Sequence, residues 1–404
     1  MTFGVLALVV AAGLGGPLLA AGPSGFVPVV VGELAAGVVI GDTGFRWLDP
    51  STSGLAFFAA VGFAMLMFAA GLAVPIRQPG ISIGVRRGLV AAIVVAVLAV
   101  PAGIAVAALT PNGHGAVYAL LLASGSAAIL LPALEEQKLL TDQRALVVMA
   151  QVGIADVAAI VALPLVIQPS KALHAALGGL AVIGGVVVLF LAARAIRHTP
   201  LVRRLRHASH ARAWALDLRV SLLVLFTLSW IAVRSGTSVL IAGFAVGLLV
   251  ALSGGPKRLS TQVTGIGAGF FVPLFFVVLG AKLDLRAVFE KPSLLELTLL
   301  LLLANVVVHE LGALITRQPL AAGLAATAQL GVPAAVATLG LELHTLTSPQ
   351  AAAIVLAALG TLAIVPVGIA GLRLRGADRA PDDRTPDHAR HEHDGAGDHR
   401  ADRK

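Results

Sequence analysis

Thirteen predominantly apolar runs follow one another along this chain, near residues 2–21, 26–41, 54–75, 84–109, 114–134, 142–167, 173–195, 216–234, 236–252, 262–281, 294–316, 319–342 and 350–372. Most have about the 20 residues a helix needs to cross a hydrocarbon core. Inside lipid every backbone N–H and C=O must be satisfied within the protein, which leaves helices or a closed barrel. Runs this long and continuous are helical. The chain therefore reads as an all-α polytopic membrane protein of about 13 transmembrane helices. Its composition, 58% hydrophobic and 12% charged, with a mean hydropathy of +0.94, excludes an ordinary soluble fold. The apolar mass is largely Ala, Val, Leu and Gly, whose small members let helices approach closely in a membrane.

Charge is arranged by loop. A net charge of +8 would suggest a nucleic-acid partner for a soluble chain, but here the basic residues gather between apolar runs, so the expected partner is a lipid bilayer and not nucleic acid. The segment RAIRHTPLVRRLRHASHARAWALDLR, with RQPGISIGVRR, GGPKR and GLRLR, falls on one side of the membrane, and the poorly basic GDTGFRWLDPSTS, TPNGH and LELHTLTSP on the other. The positive-inside rule puts the first set in the cytoplasm, the N-terminus outside and the C-terminus inside a plasma (inner) membrane. MTFGVLALVVAAGLGGPLLAAG has no basic n-region and is read as the first span. Residues 1–372 form one transmembrane domain and 373–404 a polar, disordered cytoplasmic tail. His388, His391 and His393 in that tail read as solvated residues, since nothing beside them fixes a ligand geometry. The chain has no cysteine, so thiolate chemistry is excluded.

Few polar groups lie at membrane depth. Asp156, in AQVGIADVAAIVALP, sits near the middle of the sixth run, too deep for its short side chain to reach an interface. A charge there costs about 2.5–3.5 kcal/mol on insertion scales, and such residues mark ion or proton pathways. Gln151, at i−5, either supplies a carbonyl ligand or bonds a neighbouring helix. Glu33, in PVVVGELAAGVVIG, reads as a buried structural carboxylate or as a coupling group. His309 and Glu310, near the cytoplasmic end of the eleventh run, pair locally or serve in proton coupling or pH sensing. Lys282 and Asp284 end the tenth run and reach the interface.

Two runs carry helix-breaking residues at mid-membrane. Ser124, Gly125 and Ser126 interrupt the fifth, with Pro132 after them, and Gln329, Gly331 and Pro333 interrupt the twelfth. Interrupted helices in corresponding positions of two halves are the sequence pointer to a transporter's midplane site, where freed carbonyls and half-helix ends face an ion.

Four stretches, PVVVGELAAGVVIGDTGF, FAMLMFAAGLAVP, VLIAGFAVGLLVALSGGPKR and above all GFFVPLFFVVLGAKLDL, resemble the type 2 monovalent cation:proton antiporters, the group of Kef-like and bacterial sodium/proton exchangers. The likeness covers nearly all of residues 20–372, and LLASGSAAILLPALEEQKLLTDQRALVVMAQVGIADVAAIVALPL looks like that family's broken helix followed by its ion-binding helix. The resemblance implies an inverted-repeat antiporter fold with two crossing broken helices, a homodimer, no cofactor, and no metal beyond the transported cation. It puts Asp156 in the place of the aspartate that binds cation and proton in turn, with Ser126 and the backbone of Ser124 and Gly125 opposite. Three positions depart from the pattern. Ala155 stands where a second polar or acidic residue often precedes the aspartate, His309 stands for the basic residue of the eleventh span, and Val332 follows Gly331 where a glutamate is common.

Losing both partners of a buried ion pair is self-consistent, because removing one leaves a charge costing about 3–5 kcal/mol. The expected function is electroneutral exchange of Na+ or K+ for protons through one carboxylate, with alternating access. The competing readings are an organic-anion transporter on a related inverted-repeat fold and a non-transporting membrane scaffold or sensor. An enzyme is not expected, since no nucleophile, metal cluster or phosphate-binding loop is apparent.

Overall fold

The computed structural model describes residues 2–21, 28–72, 81–111, 113–140, 142–196, 199–200, 204, 214–234, 239–252 and 257–377. The regular structure among these residues is all helix, with no strand. In chain order the helices are α1 Phe3–Gly13, α2 Gly15–Ala20, α3 Val29–Ile40, α4 Ser53–Leu72, α5 Ile81–Leu109, α6 Gly115–Ala123, α7 Ala127–Glu136, α8 Gln143–Ile167 and α9 Ala172–Ile196. They continue with α10 Leu216–Arg234, α11 Val239–Leu252, α12 Lys257–Ile266, a π-helical turn Gly267–Phe271, and α13 Val272–Lys282. The last are α14 Leu285–Glu290, α15 Pro292–Ile315, α16 Leu320–Ala326, α17 Gly331–Glu342 and α18 Ser348–Ala377.

Every expected run carries helix, but among the described residues only ten segments are long and apolar enough to cross a membrane. The remaining three are shorter: α3 has 12 residues, α11 has 14, and the fifth run is divided into α6 and α7. α18 continues to Ala377, past the expected edge at 372, so the first residues assigned to the tail are helical. Residues 378–404, with His388, His391 and His393, lie outside the described residues, as does most of the basic loop before α10.

The helices pack in two groups. One contains α1 to α4 with α10 to α13, in which α3 lies along α13 and α4 along α11. The other contains α5 to α8 with α15 to α18, and α9 touches both. Small residues set the first group's spacing: a Cβ added at Gly37 would stand 2.2 Å from the Val277 carbonyl oxygen, so α3 meets α13 backbone to backbone. The π-turn has a local cause. Pro273 lacks an amide and its ring crowds the carbonyl four residues earlier, so the ladder slips by one residue and Val272 N–H bonds Gly267 O.

Exposed stripes mark the surfaces that meet lipid. On α5, Leu89, Ile93, Val97, Val100 and Ile104 recur at three and four residues, all exposed, and α9 repeats the pattern with Leu173, Leu177, Leu180, Val187 and Leu191. α8 is the contrast: every residue from Ala145 to Gly153 is buried, as are Ala155 and Asp156. A stretch of helix enclosed in this way can hold a polar side chain at depth, provided something there meets it.

Candidate functional site

Both expected interruptions are present. α6 stops at Ala123 and α7 starts at Ala127, leaving Ser124–Ser126 non-helical; α16 stops at Ala326 and α17 starts at Gly331. Ser124 and Ser126 are extended, with φ/ψ of −82/167° and −141/99°. The same device closes each leading half-helix. Ser124 Oγ donates to Leu121 O at 2.7 Å, and Thr327 Oγ1 donates to Leu324 O at 2.7 Å. Pro333 is buried and third in α17, within the first turn, whose amides have no partner inside the helix, so proline is tolerated there.

Asp156 meets the first interruption. Its Oδ2 accepts from the Ala127 amide at 3.4 Å, the first N–H of α7, and the residue is 8% exposed. A helix N-terminus carries a partial positive charge and free amides, so a carboxylate is held there without a basic partner. Gly125 makes the approach possible. A Cβ at that position would lie 2.9 Å from Val152 Cγ1 and 3.2 Å from Val152 Cα and O, one turn before Asp156 on α8. Ser126, the residue before α7, is buried, and its side chain makes no capping bond. The aspartate from α8 takes that place.

Gln329 joins the two interruptions. Its Nε2 donates to Leu121 O at 2.6 Å, to Ser124 O at 3.4 Å and to Asn305 Oδ1 at 3.1 Å. Asn305, on α15, donates through Nδ2 to Thr327 O at 3.1 Å. The Gln329 amide N–H bonds Thr361 Oγ1 at 3.3 Å, fixing the second interruption to α18. A cavity of about 10 Å³ beside Asn305, Gln329 and Thr361 has room for a single water and not for an ion with its ligand shell.

Other candidates fall elsewhere. Gln151 is buried on α8, and its Oε1 accepts from Gln318 Nε2 at 3.4 Å, in the segment after α15. His309 is buried with Nδ1 2.9 Å from Asn305 O on its own helix; a carbonyl only accepts, so Nδ1 carries the hydrogen. The residue of α15 that reaches the interruptions is Asn305, one turn before His309. Sequence reasoning passed over it, although a lone amide in LLLLANVVV was a visible signal. Glu310 rests against Gly323 of α16. Glu33 is buried in the other helix group, against Gly16 of α2, and its Oε2 takes no hydrogen bond among the described residues. Asp284 serves its own helix end, where its Oδ1 caps α14 by accepting from Ala287 N at 3.0 Å.

The family model described as sodium/hydrogen exchanger, transmembrane, matches residues 5–372. YjbQ of Bacillus subtilis (strain 168), provisionally named a Na(+)/H(+) antiporter, is 24% identical over an alignment 371 residues long, gaps included, that covers 84% of this chain and 58% of that protein. The chain thus spans little more than half the length of that relative. The Na(+)/H(+) antiporter of Enterococcus hirae is 23% identical over 299 residues, 71% of this chain and 75% of its own. The structure of the sodium proton antiporter MjNhaP1 from Methanocaldococcus jannaschii at pH 8 superposes with a TM-score of 0.60 at 18% identity, covering 93% of this chain and 97% of that one. The inverted-repeat antiporter fold is accordingly the fold of this chain, and with a match across nearly the whole helical region it belongs to the sodium/hydrogen exchanger transmembrane family.

Proposed function

We propose that the protein exchanges a monovalent cation, Na+ or K+, for protons across a plasma membrane, electroneutrally, with Asp156 holding either ion in turn. The observation that carries this reading is the contact between the Asp156 carboxylate and the amide that opens α7, inside a broken helix. An acid held by one long hydrogen bond and a helix end keeps lone pairs for a proton or a hard cation. Ser126 and the carbonyls of the interruption would supply further oxygen ligands. The names of the relatives support sodium as one substrate. An anion carrier would seat its substrate at the α7 N-terminus, which here is taken by Asp156, and this favours a cation.

In the mechanism, an unoccupied Asp156 carries a bare charge that is costly to move through the low-dielectric barrier, whereas the protonated and cation-bound forms are neutral. Only loaded forms then change access, which makes exchange obligatory. One helix group moving against the other, in a homodimer with its N-terminus outside and C-terminus in the cytoplasm, would supply alternating access.

The test is Asp156→Asn in proteoliposomes with a trapped pH dye. Asparagine keeps the volume and can still accept from Ala127 but holds neither ion. Na+- and K+-dependent proton flux is expected to vanish while the melting temperature in detergent stays within a few degrees. Persistent flux would refute the assignment.

A further inference from the structure

The two interruptions are joined by uncharged side chains. Ser124 and Thr327 each end a half-helix with a hydroxyl cap, and the carbonyl of each then accepts a side-chain amide, Gln329 Nε2 at Ser124 O and Asn305 Nδ2 at Thr327 O. The two amides close the pattern by bonding one another at 3.1 Å. These four residues are buried. The C-terminal ends of α6 and α16 both bring partial negative charge to this place. Amide NH2 groups answer it with dipoles and add no net charge.

We propose that Gln329 and Asn305 are positioning residues for ion binding, a clasp that sets the distance between the Ser124–Ser126 segment and Asp156. The proposal rests on the reading of Asp156 as the ion-binding carboxylate. Its physical basis is the short path between the two contacts. Gln329 grips Leu121 O and Ser124 O, and Ala127 N–H, which Asp156 accepts, follows Ser124 by three residues of mostly extended chain. Extended backbone has no internal hydrogen bonds to absorb a shift. Movement of Ser124 is passed on to Ser126 and Ala127, the groups that face the ion.

Gln329→Met keeps the side chain's bulk and removes both donors, while the Gln329 amide stays on Thr361 Oγ1 and holds the second interruption in place. In proteoliposomes the half-saturating Na+ concentration is expected to rise about tenfold, the loss of roughly one good hydrogen bond, with the saturated rate per molecule within about twofold of the parent. Asn305→Ala leaves Gln329 on the two carbonyls and should move half-saturation the same way, about threefold. Thr298→Val is the control: it removes a buried hydroxyl bond from α15 to Ala353 O of α18, 3.3 Å long and outside both interruptions, and should lower the melting temperature without moving half-saturation.

An unmoved half-saturation in Gln329→Met, or an equal shift in Thr298→Val, would overturn the clasp. If Gln329→Met does not accumulate, Asn305→Ala decides by the same criterion. A parent protein without cation-dependent flux, or flux that survives Asp156→Asn, would overturn the ion-site reading and the clasp with it. Asp156-dependent flux with an unmoved Gln329→Met overturns the clasp alone.

Discussion

Asp156 is a carboxylate with a helix end for a partner, and its neighbours make that arrangement stable without an opposing charge. Ala155 precedes it, and the polar side chains of the crossing are amides and hydroxyls. A hydrogen bond to the first amide of α7 uses one lone pair of Oδ2. The remaining carboxylate oxygen sites define what this residue can do. How close the first interruption lies is decided by Gly125, since any side chain there meets Val152 backbone atoms at 3.2 Å. Gly125→Ala should therefore push the Ser124–Ser126 segment off α8 by a few tenths of an ångström. Overpacking of this kind starts at about 1 kcal/mol, and if that strain falls on the loaded state, cation affinity drops by a factor of about five. Equilibrium 22Na+ binding to purified protein would check it, and unchanged affinity would show that the interruption tolerates the shift.

At the scale of helices, the broken segments were legible because Ser-Gly-Ser and Gln-Leu-Gly-Val-Pro cannot easily continue a helix in lipid, and Asp156 was legible because an acid in mid-span has few reasons to be there. What was hidden depended on partners far along the chain. Gln151 reads as a ligand candidate from its spacing to Asp156, yet its partner Gln318 lies 167 residues on, in a turn. Asn305 stands out less because His309 and Glu310 are the ionisable residues nearest it in that helix, and a periodicity argument does not say which turn of α15 faces the crossing. The span count was also limited: helix length depends on how each segment packs, and α3 and α11 pack as short helices. The α3–α13 contact gives an element-scale test. A methyl at Gly37 would be driven into the Val277 carbonyl, so Gly37→Ala should part the two helices and cost about 1–3 kcal/mol. A lowered melting temperature with an unchanged half-saturating Na+ concentration is expected, since this pair belongs to the helix group without Asp156. A shifted half-saturation would instead show that the two groups share the ion site.

Over the whole molecule, the proposed role of Asp156 fixes the balance of charge that a cycle would have. Protonated, the residue is neutral; with a monovalent cation it is neutral again. The amides of Asn305 and Gln329 carry no charge in either form, so they add none to the moving part. A cycle built this way transfers no net charge, whereas one that returned two protons for each cation would move one. The distinction is large, because one elementary charge in a potential of 100 mV is worth about 2.3 kcal/mol, close to fiftyfold in the steady-state cation gradient. Proteoliposomes with a fixed pH difference, free of K+ and held at 0 and then at −100 mV by a gradient of the permeant anion thiocyanate, separate the two using Na+ as substrate. The steady-state Na+ ratio should be the same at both potentials. A shift of about fiftyfold would require a second charge to cross with the site, and because no second acid touches the interruptions among the described residues, the candidates for carrying it would then be His309 and Glu310 on α15.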